Sequence, residues 1–158
     1  MKLPYKLLLP WPPSVNTLYF QGKSHGQKFM SKKGKEYKKQ IHALYASDDM
    51  ETTSVPLKVR IELFPPDKRT RDFDNYVKPI LDGLKWLELI EDDSQIQVGL
   101  VIKHPKITRF NKGLVLVYLK EDVAIRSDRE YIIDKYMKEL NFGEDEMSLF
   151  HTPKAVKK

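Results

Sequence analysis

Two carboxylates and a lysine stand close together in Arg71-Asp72-Phe73-Asp74-Asn75-Tyr76-Val77-Lys78, and Glu91-Asp92-Asp93 follows about 15 residues later. The chemistry such a set could do is metal-assisted hydrolysis of a phosphodiester. In an extended segment the side chains at i and i+2 point the same way. Asp72 and Asp74 would then be aimed together, and two aligned carboxylates repel unless a cation lies between them. Oxygen donors suit Mg²⁺, with Mn²⁺ able to substitute. Lys78 lies one helical turn after Asp74 and could neutralise charge on a phosphate or orient an attacking water. Arg69 and Arg71 are placed to contact phosphate. Plainer readings stay open for the same residues. Asp72 or Asp74 could cap a helix, with Lys78 a surface i,i+4 partner. Asn75 could add an amide oxygen or serve as the cap. Asp92-Asp93 could be a solvated turn, and Asp82 could either support Lys78 or form a surface ion pair.

Positioning these residues requires ordered elements around them. Tyr5 to Leu9 reads as a strand running into Pro10-Trp11-Pro12-Pro13, where the prolines force a rigid, extended path. Thr17 to Lys28 reads as a loop or irregular hairpin. Ser31 could cap a helix reaching about Ala46, with Tyr37, Ile41, Leu44 and Tyr45 on one face. Leu57, Val59, Ile61 and Leu63 alternate with Lys58, Arg60 and Glu62, the pattern of a half-buried strand. A second helix is expected from Asn75 or Tyr76 to Leu89, because Pro79 is harmless only in a first turn. Ile96, Val98, Leu100 and Ile102 alternate as another strand, and Leu114 to Leu119 forms a third, with Asn111-Lys112-Gly113 as the turn between them. The order predicts an α+β fold: a single compact domain over residues 1–120, a mixed β-sheet with packed helices. Asp93 can return to Asp72 and Asp74 only if the strand from Ile96 lies beside the strand ending at Phe64. Residues 121–158 read as a C-terminal extension. Ser127 and Glu130 suggest a capping box there, before a short amphipathic helix and a loose basic tail.

The chain has 158 residues, a formal net charge of +6 and no cysteine. That excludes disulfides, thiolate zinc sites and thiol nucleophiles. No apolar run is long enough for a transmembrane helix, and the N-terminal run is too short for a signal peptide. A cytoplasmic protein with no membrane partner is the expectation. The basic excess suggests a polyanionic partner, and it is concentrated in Lys23, Lys28, Lys32, Lys33, Lys35, Lys38 and Lys39. A basic surface around a local acidic cluster suits a nuclease. His25, His42, His104 and His151 are scattered without ligand-like neighbours. His104 is expected in a loop and His42 near the core.

Three segments together resemble the RusA family of Holliday junction resolvases. They are Leu9-Pro10-Trp11-Pro12-Pro13-Ser14-Val15-Asn16, then Arg71-Asp72-Phe73-Asp74-Asn75 with Lys78, then Trp86 with Asp92-Asp93-Ser94-Gln95-Ile96. The resemblance runs from about Leu7 to Leu119 and implies a RusA-like nuclease domain. It puts Asp72, Asp74 and Asp93 in the places of metal-binding catalytic aspartates, with Asp92 an accompanying ligand and Lys78 the catalytic lysine. It further implies a homodimer that binds branched DNA and makes paired symmetric nicks in a four-way junction with Mg²⁺, in recombination and repair, in a bacterial or prophage setting. Two identical sites related by a two-fold axis suit the two equivalent strands of a junction. Recognition would depend on shape and backbone charge. Lys32, Lys33, Lys35, Lys38 and Lys39 are candidate phosphate contacts, along with Arg69, Arg71 and Asn75, and Phe20, Phe29 or Tyr19 is a candidate wedge. Pro79, directly after the lysine, departs from the pattern at the point where it bears on the placement of Lys78. The other readings are a non-catalytic dimer that binds branched DNA, and a nuclease preferring flaps or forks.

Overall fold

The computed structural model describes residues 3–22, 26–106 and 111–123. The expected C-terminal extension, including its capping box at Ser127 and Glu130, lies outside the described residues after Val123. Strand β1 (Tyr5–Pro10) leads through the prolines to a single helical turn, α1 (Val15–Leu18). A small antiparallel hairpin follows, β2 (Tyr19–Gln21) with β3 (Lys28–Met30). Then come α2 (Lys32–Tyr45), β4 (Leu57–Phe64), α3 (Asp74–Trp86), a 3-10 turn (Asp93–Gln95), β5 (Ile96–Lys103) and β6 (Leu114–Glu121). The α+β class is as expected. The segment expected to be a loop or irregular hairpin is a helical turn plus a regular hairpin.

The large sheet has the order β1-β6-β4-β5, with β4 and β5 parallel and the other pairs antiparallel. Thus β4, α3 and β5 form a crossover unit. The strand after the second acidic cluster lies beside the strand before the first, as the return of Asp93 requires. Asn111 and Lys112 do form a turn, but β5 and β6 are not neighbours, since β4 lies between them. Gly113 serves that connection through a left-handed φ of 69°. A Cβ there would also lie 2.8 Å from the Pro66 ring, so the position needs glycine twice over.

One face of the sheet carries the core. Tyr5, Leu7 and Leu9 of β1, Val115, Val117 and Leu119 of β6, and Leu57, Val59, Ile61 and Leu63 of β4 are buried with Tyr37 and Ile41 of α2 and Tyr76, Ile80 and Leu84 of α3. Ser31 caps α2 as expected, its hydroxyl accepting from the Gly34 amide at 3.0 Å. Leu44 and His42, however, are exposed, so the apolar stripe of α2 is narrower than its composition suggests. In β5 a register shift beside Leu57 and Lys58 turns Val98, Leu100 and Ile102 to the row of Lys58, Arg60 and Glu62, and Val101 to the core. His104 is pinned rather than loose. Its amide donates to the Leu63 carbonyl, its ring stacks on Phe64 at 4.3 Å, and Nε2 meets Glu62 at 2.8 Å.

Helix α3 is shorter at its C-terminal end than the pattern implied. It stops at Trp86 because Glu88 takes a left-handed φ of 57°. The Glu88 amide donates to the Lys85 carbonyl and the Leu89 amide to the Leu84 carbonyl. These are the two bonds of a Schellman end, with the buried Leu84 and Leu89 supplying its hydrophobic contact. Pro79 lies beyond the first turn, inside the helix. It removes the amide that would have donated to the Asn75 carbonyl. No described helix is long and apolar enough to cross a membrane.

Candidate active site

The N-terminal end of α3 presents the first acidic pair. Asp72 precedes the helix and Asp74 is its first residue, and both are exposed. Phe73 occupies the cap position and makes no side-chain cap bond. Neither aspartate is therefore the cap. Lys78 does not turn back to Asp74; it bonds Asp82 one turn further on. The helix start still favours negative charge there through its partial dipole and free amides, but no described residue forms a hydrogen bond or ion pair with either carboxylate.

This end is held in place by the proline-rich segment. Trp11 packs on Tyr76 with ring centroids 4.8 Å apart, and the Arg71 guanidinium lies 5.8 Å from the Trp11 ring. The aromatic of the first motif thus fixes the backbone of the second. Asp67 completes the arrangement. Its carboxylate accepts from Arg71 at 2.6 and 2.8 Å and from Arg69 at 2.8 and 3.0 Å. These bonds hold the Asp67 carboxyl far below its usual range, Arg71 first and Arg69 next. Lys103 of β5 donates to the Arg71 carbonyl at 2.8 Å. A groove of about 450 Å³ runs past this corner, and Lys33, Arg69, Arg71, Trp11 and Tyr76 all line it. Among the candidate phosphate contacts, the structure thereby gathers Lys33 with the two arginines. Lys32, Lys35 and Lys39 are exposed on α2, and the Lys38 ammonium lies 5.6 Å from the Trp86 ring centre.

The other acidic group spans the second half of α3 and the turn beyond its C-terminal end. Lys78 Nζ donates to Asp82 Oδ1 at 2.7 Å and to Asp93 Oδ2 at 2.8 Å. Asp82 is only 6% exposed, and its Oδ2 accepts from the Tyr19 hydroxyl at 2.9 Å. Burial alone would lower the Lys78 pKa, but bonds to the two carboxylates outweigh it and hold the ammonium charged. Tyr19 is pushed up to about 12, by burial first and by its bond to Asp82 next. Asp92 is the cap of the 3-10 turn: its carboxylate accepts from the Ser94 amide at 3.0 Å and from Lys85 at 2.7 Å. Its carboxyl is held well below the usual range, by Lys85 first. Gln95 closes the capping box, accepting from the Glu91 and Asp92 amides and donating to the Thr53 and Val55 carbonyls.

The sequence reading placed Asp72, Asp74, Asp93 and Asp92 in one ligand set. Among the described residues, no three acidic or histidine side chains converge closely enough to hold a metal ion. What converges is Lys78 with Asp93 and Asp82. The donor chemistry of the three predicted catalytic aspartates still fits a hard divalent cation, and Asp72 and Asp74 have no partner among the described residues. Sequence reasoning missed Asp67, which lies in a loop where no helical spacing pairs it with Arg71. It also missed the bond of Tyr19 to Asp82, which no local pattern announces.

A family profile described as Endodeoxyribonuclease RusA matches residues 10–115. The chain belongs to the RusA family. It is 32% identical over 117 residues to a crossover junction endodeoxyribonuclease of Enterobacteria phage HK97, covering 73% of this chain and 96% of that protein. Against the protein of the same description from Escherichia coli K12 it is 33% identical over 102 residues, covering 64% of this chain and 83% of that protein. A relative from Enterobacteria phage 82 gives the same identity over the same length. The RusA match contains Trp11, Asp67, the Asp72 to Lys78 segment, Asp82 and Asp93, so the clusters at both ends of α3 belong to the family's part of the chain.

Proposed function

We propose that this chain is a structure-selective endodeoxyribonuclease that resolves four-way DNA junctions by paired, symmetric, metal-dependent hydrolysis of phosphodiesters. The observation that carries the reading is the pair of exposed carboxylates at the start of α3, with no described partner, in a chain of the RusA family. The substrate rests on the relatives, which are described as crossover junction endodeoxyribonucleases.

Asp72, Asp74 and Asp93 would hold Mg²⁺ or Mn²⁺. When bound, the ion would lower the pKa of a coordinated water and offset charge on the scissile phosphate. The chain's own residues do the rest. Lys78 keeps its proton and offers it as a hydrogen-bond donor to phosphate oxygen. Asp92 serves by holding the turn that carries Asp93. Lys33, Arg69 and Arg71 line a groove in which a DNA backbone can run, and Lys32, Lys35 and Lys39 extend that charge along α2. Losing one such phosphate contact is expected to reduce the salt slope of binding by about 1. Phe20 and Phe29 are exposed, cross-strand partners stacked 5.7 Å apart on the β2–β3 hairpin, which suits a wedge into an open junction. Tyr19 is committed to Asp82 instead. A homodimer would set two such sites on two equivalent strands.

The test is a labelled synthetic four-way junction with Mg²⁺, compared with a linear duplex, a three-way junction and the Asp74→Asn protein. Paired symmetric nicks in the junction alone, lost in the variant, are expected. Tight junction binding with no cutting under Mg²⁺ or Mn²⁺ would leave a DNA-binding dimer as the reading. Faster cutting of flaps or forks would move the substrate.

A further inference from the structure

Resting on the reading of Lys78 as the group that meets the scissile phosphate, the geometry points to Asp82 and Tyr19 as positioning residues that hold the Lys78 ammonium beside Asp93. A lysine side chain ends in a mobile point charge with three donors. Here two of the donors are fixed, one to Asp82 Oδ1 at 2.7 Å and one to Asp93 Oδ2 at 2.8 Å. The third is left for a substrate oxygen. The lysine itself is half-exposed, with 48% of its side chain open to solvent, so burial does not fix it.

Asp82 differs from every other carboxylate in this region because it is buried, at 6% exposure. A buried carboxylate must be fully partnered to be tolerated. Its two oxygens are divided between Lys78 and the Tyr19 hydroxyl. The three anchor points come from separate elements: Tyr19 from the start of β2, Asp82 from the middle of α3, and Asp93 from the 3-10 turn. The N-terminal hairpin is thereby joined to the acidic cluster through one hydrogen-bonded chain. Asp93 is needed by both the lysine and a cation, whereas Asp82 lies out of solvent and serves the lysine. Asp82 is what keeps Lys78 aimed when Asp93 turns to another charge.

A double-mutant cycle on the full chain tests this. Lys78→Ala, Asp82→Asn, Tyr19→Phe and the pairwise combinations are read by single-turnover nicking of a four-way junction, by metal-free junction affinity and by thermal midpoint. Asp82→Asn is expected to slow nicking about 10- to 100-fold, and Tyr19→Phe about 3- to 10-fold, the scale of a misplaced catalytic group. Metal-free affinity should stay within about twofold in both. On the Lys78→Ala background either substitution should cost less than about twofold more, because the two act through the lysine. If Lys78→Ala slows nicking and Asp82→Asn with Tyr19→Phe does not, the positioning role falls and the catalytic lysine stands. Nicking by Lys78→Ala at the parent rate removes the catalytic lysine, and the positioning role with it. Losses that multiply on the Lys78→Ala background, with a lowered thermal midpoint, would make Asp82 a structural residue only. Should Asp82→Asn fail to fold, Tyr19→Phe removes one oxygen atom and the same cycle decides.

Discussion

The two ends of helix α3 are built by different rules. At its start, Asp72 and Asp74 are exposed, the cap residue Phe73 makes no side-chain bond, and no described partner meets either carboxylate. Towards and beyond its other end each aspartate is tied to a lysine: Asp82 and Asp93 to Lys78, Asp92 to Lys85. The backbone is finished there too, by a Schellman end and a capping box. Charge that a fold does not neutralise must be met from outside. On the proposed reading the start of α3 is where a cation would bind, whereas at the far end the described lysines already pair the aspartates. Lys78 links the two, rooted one turn into the helix and reaching the far cluster.

The sharpest way to break that comparison is to remove charge from the unpaired end. Asp74→Asn is expected to slow junction nicking at least about a hundredfold, since several kcal/mol of metal-derived charge stabilisation corresponds to such a factor. The folded state should lose nothing comparable, because the carboxylate has no described partner to lose. Nicking rate and thermal midpoint measured on the same preparation decide it. A large drop in midpoint would mean that the pair is structural after all.

At the paired end the effect should appear in stability first. Gln95 makes four side-chain hydrogen bonds, to two amides and two carbonyls. Gln95→Ala leaves those backbone groups to find water, a loss of about 1–3 kcal/mol for a part-buried set. Denaturant unfolding would measure it. Nicking should fall as well, because the turn that presents Asp93 is loosened. Full stability in the variant would show that the turn is held by Asp92 alone.

Charge at this end also has a pH signature. The Asp92 carboxyl sits below its usual range because of Lys85. A depressed folded-state pKa contributes stability above the unfolded value of about 4, and that contribution is lost as pH falls through the folded value. Asparagine keeps the capping geometry but not the charge. Asp92→Asn should therefore lower the thermal midpoint near neutral pH and approach the parent below about pH 4. A difference that stays constant through the acid limb would mean that the charge on Asp92 adds no stability.

How far this asymmetry could be read in the sequence depends on distance along the chain. Ser31 announces α2, the alternation in β4 announces a strand, and the apolar run of Leu114 to Leu119 announces β6, because cap, period and apolar run are local signals. The β5 alternation gave a strand but not its face, since the register shift beside Leu57 turns Val98, Leu100 and Ile102 away from the core. The free aspartates were legible as a pair two residues apart. The bond from Tyr19 to Asp82 spans 63 residues, and that from Lys78 to Asp93 spans 15. Neither has a pattern; each exists only because the β4–α3–β5 crossover and the N-terminal hairpin meet at α3.

Glu88 offers the smallest test, and it separates the ends cleanly. Its left-handed φ of 57° ends α3 where the apolar pattern would have run on to Leu89. A side chain there costs about 1–2 kcal/mol that glycine avoids. Glycine gives back about 0.5–1 kcal/mol through the greater freedom of the unfolded chain. Glu88→Gly should then stabilise by about 0.5–1 kcal/mol, which for a chain of this size raises the thermal midpoint by about 1–4 °C. Nicking should not change, because the substitution tightens the Schellman end and leaves Asp72, Asp74 and Lys78 where they are. A rise in midpoint with a fall in nicking would mean that the paired end must flex for the free end to work, and the two could no longer be treated as separate parts.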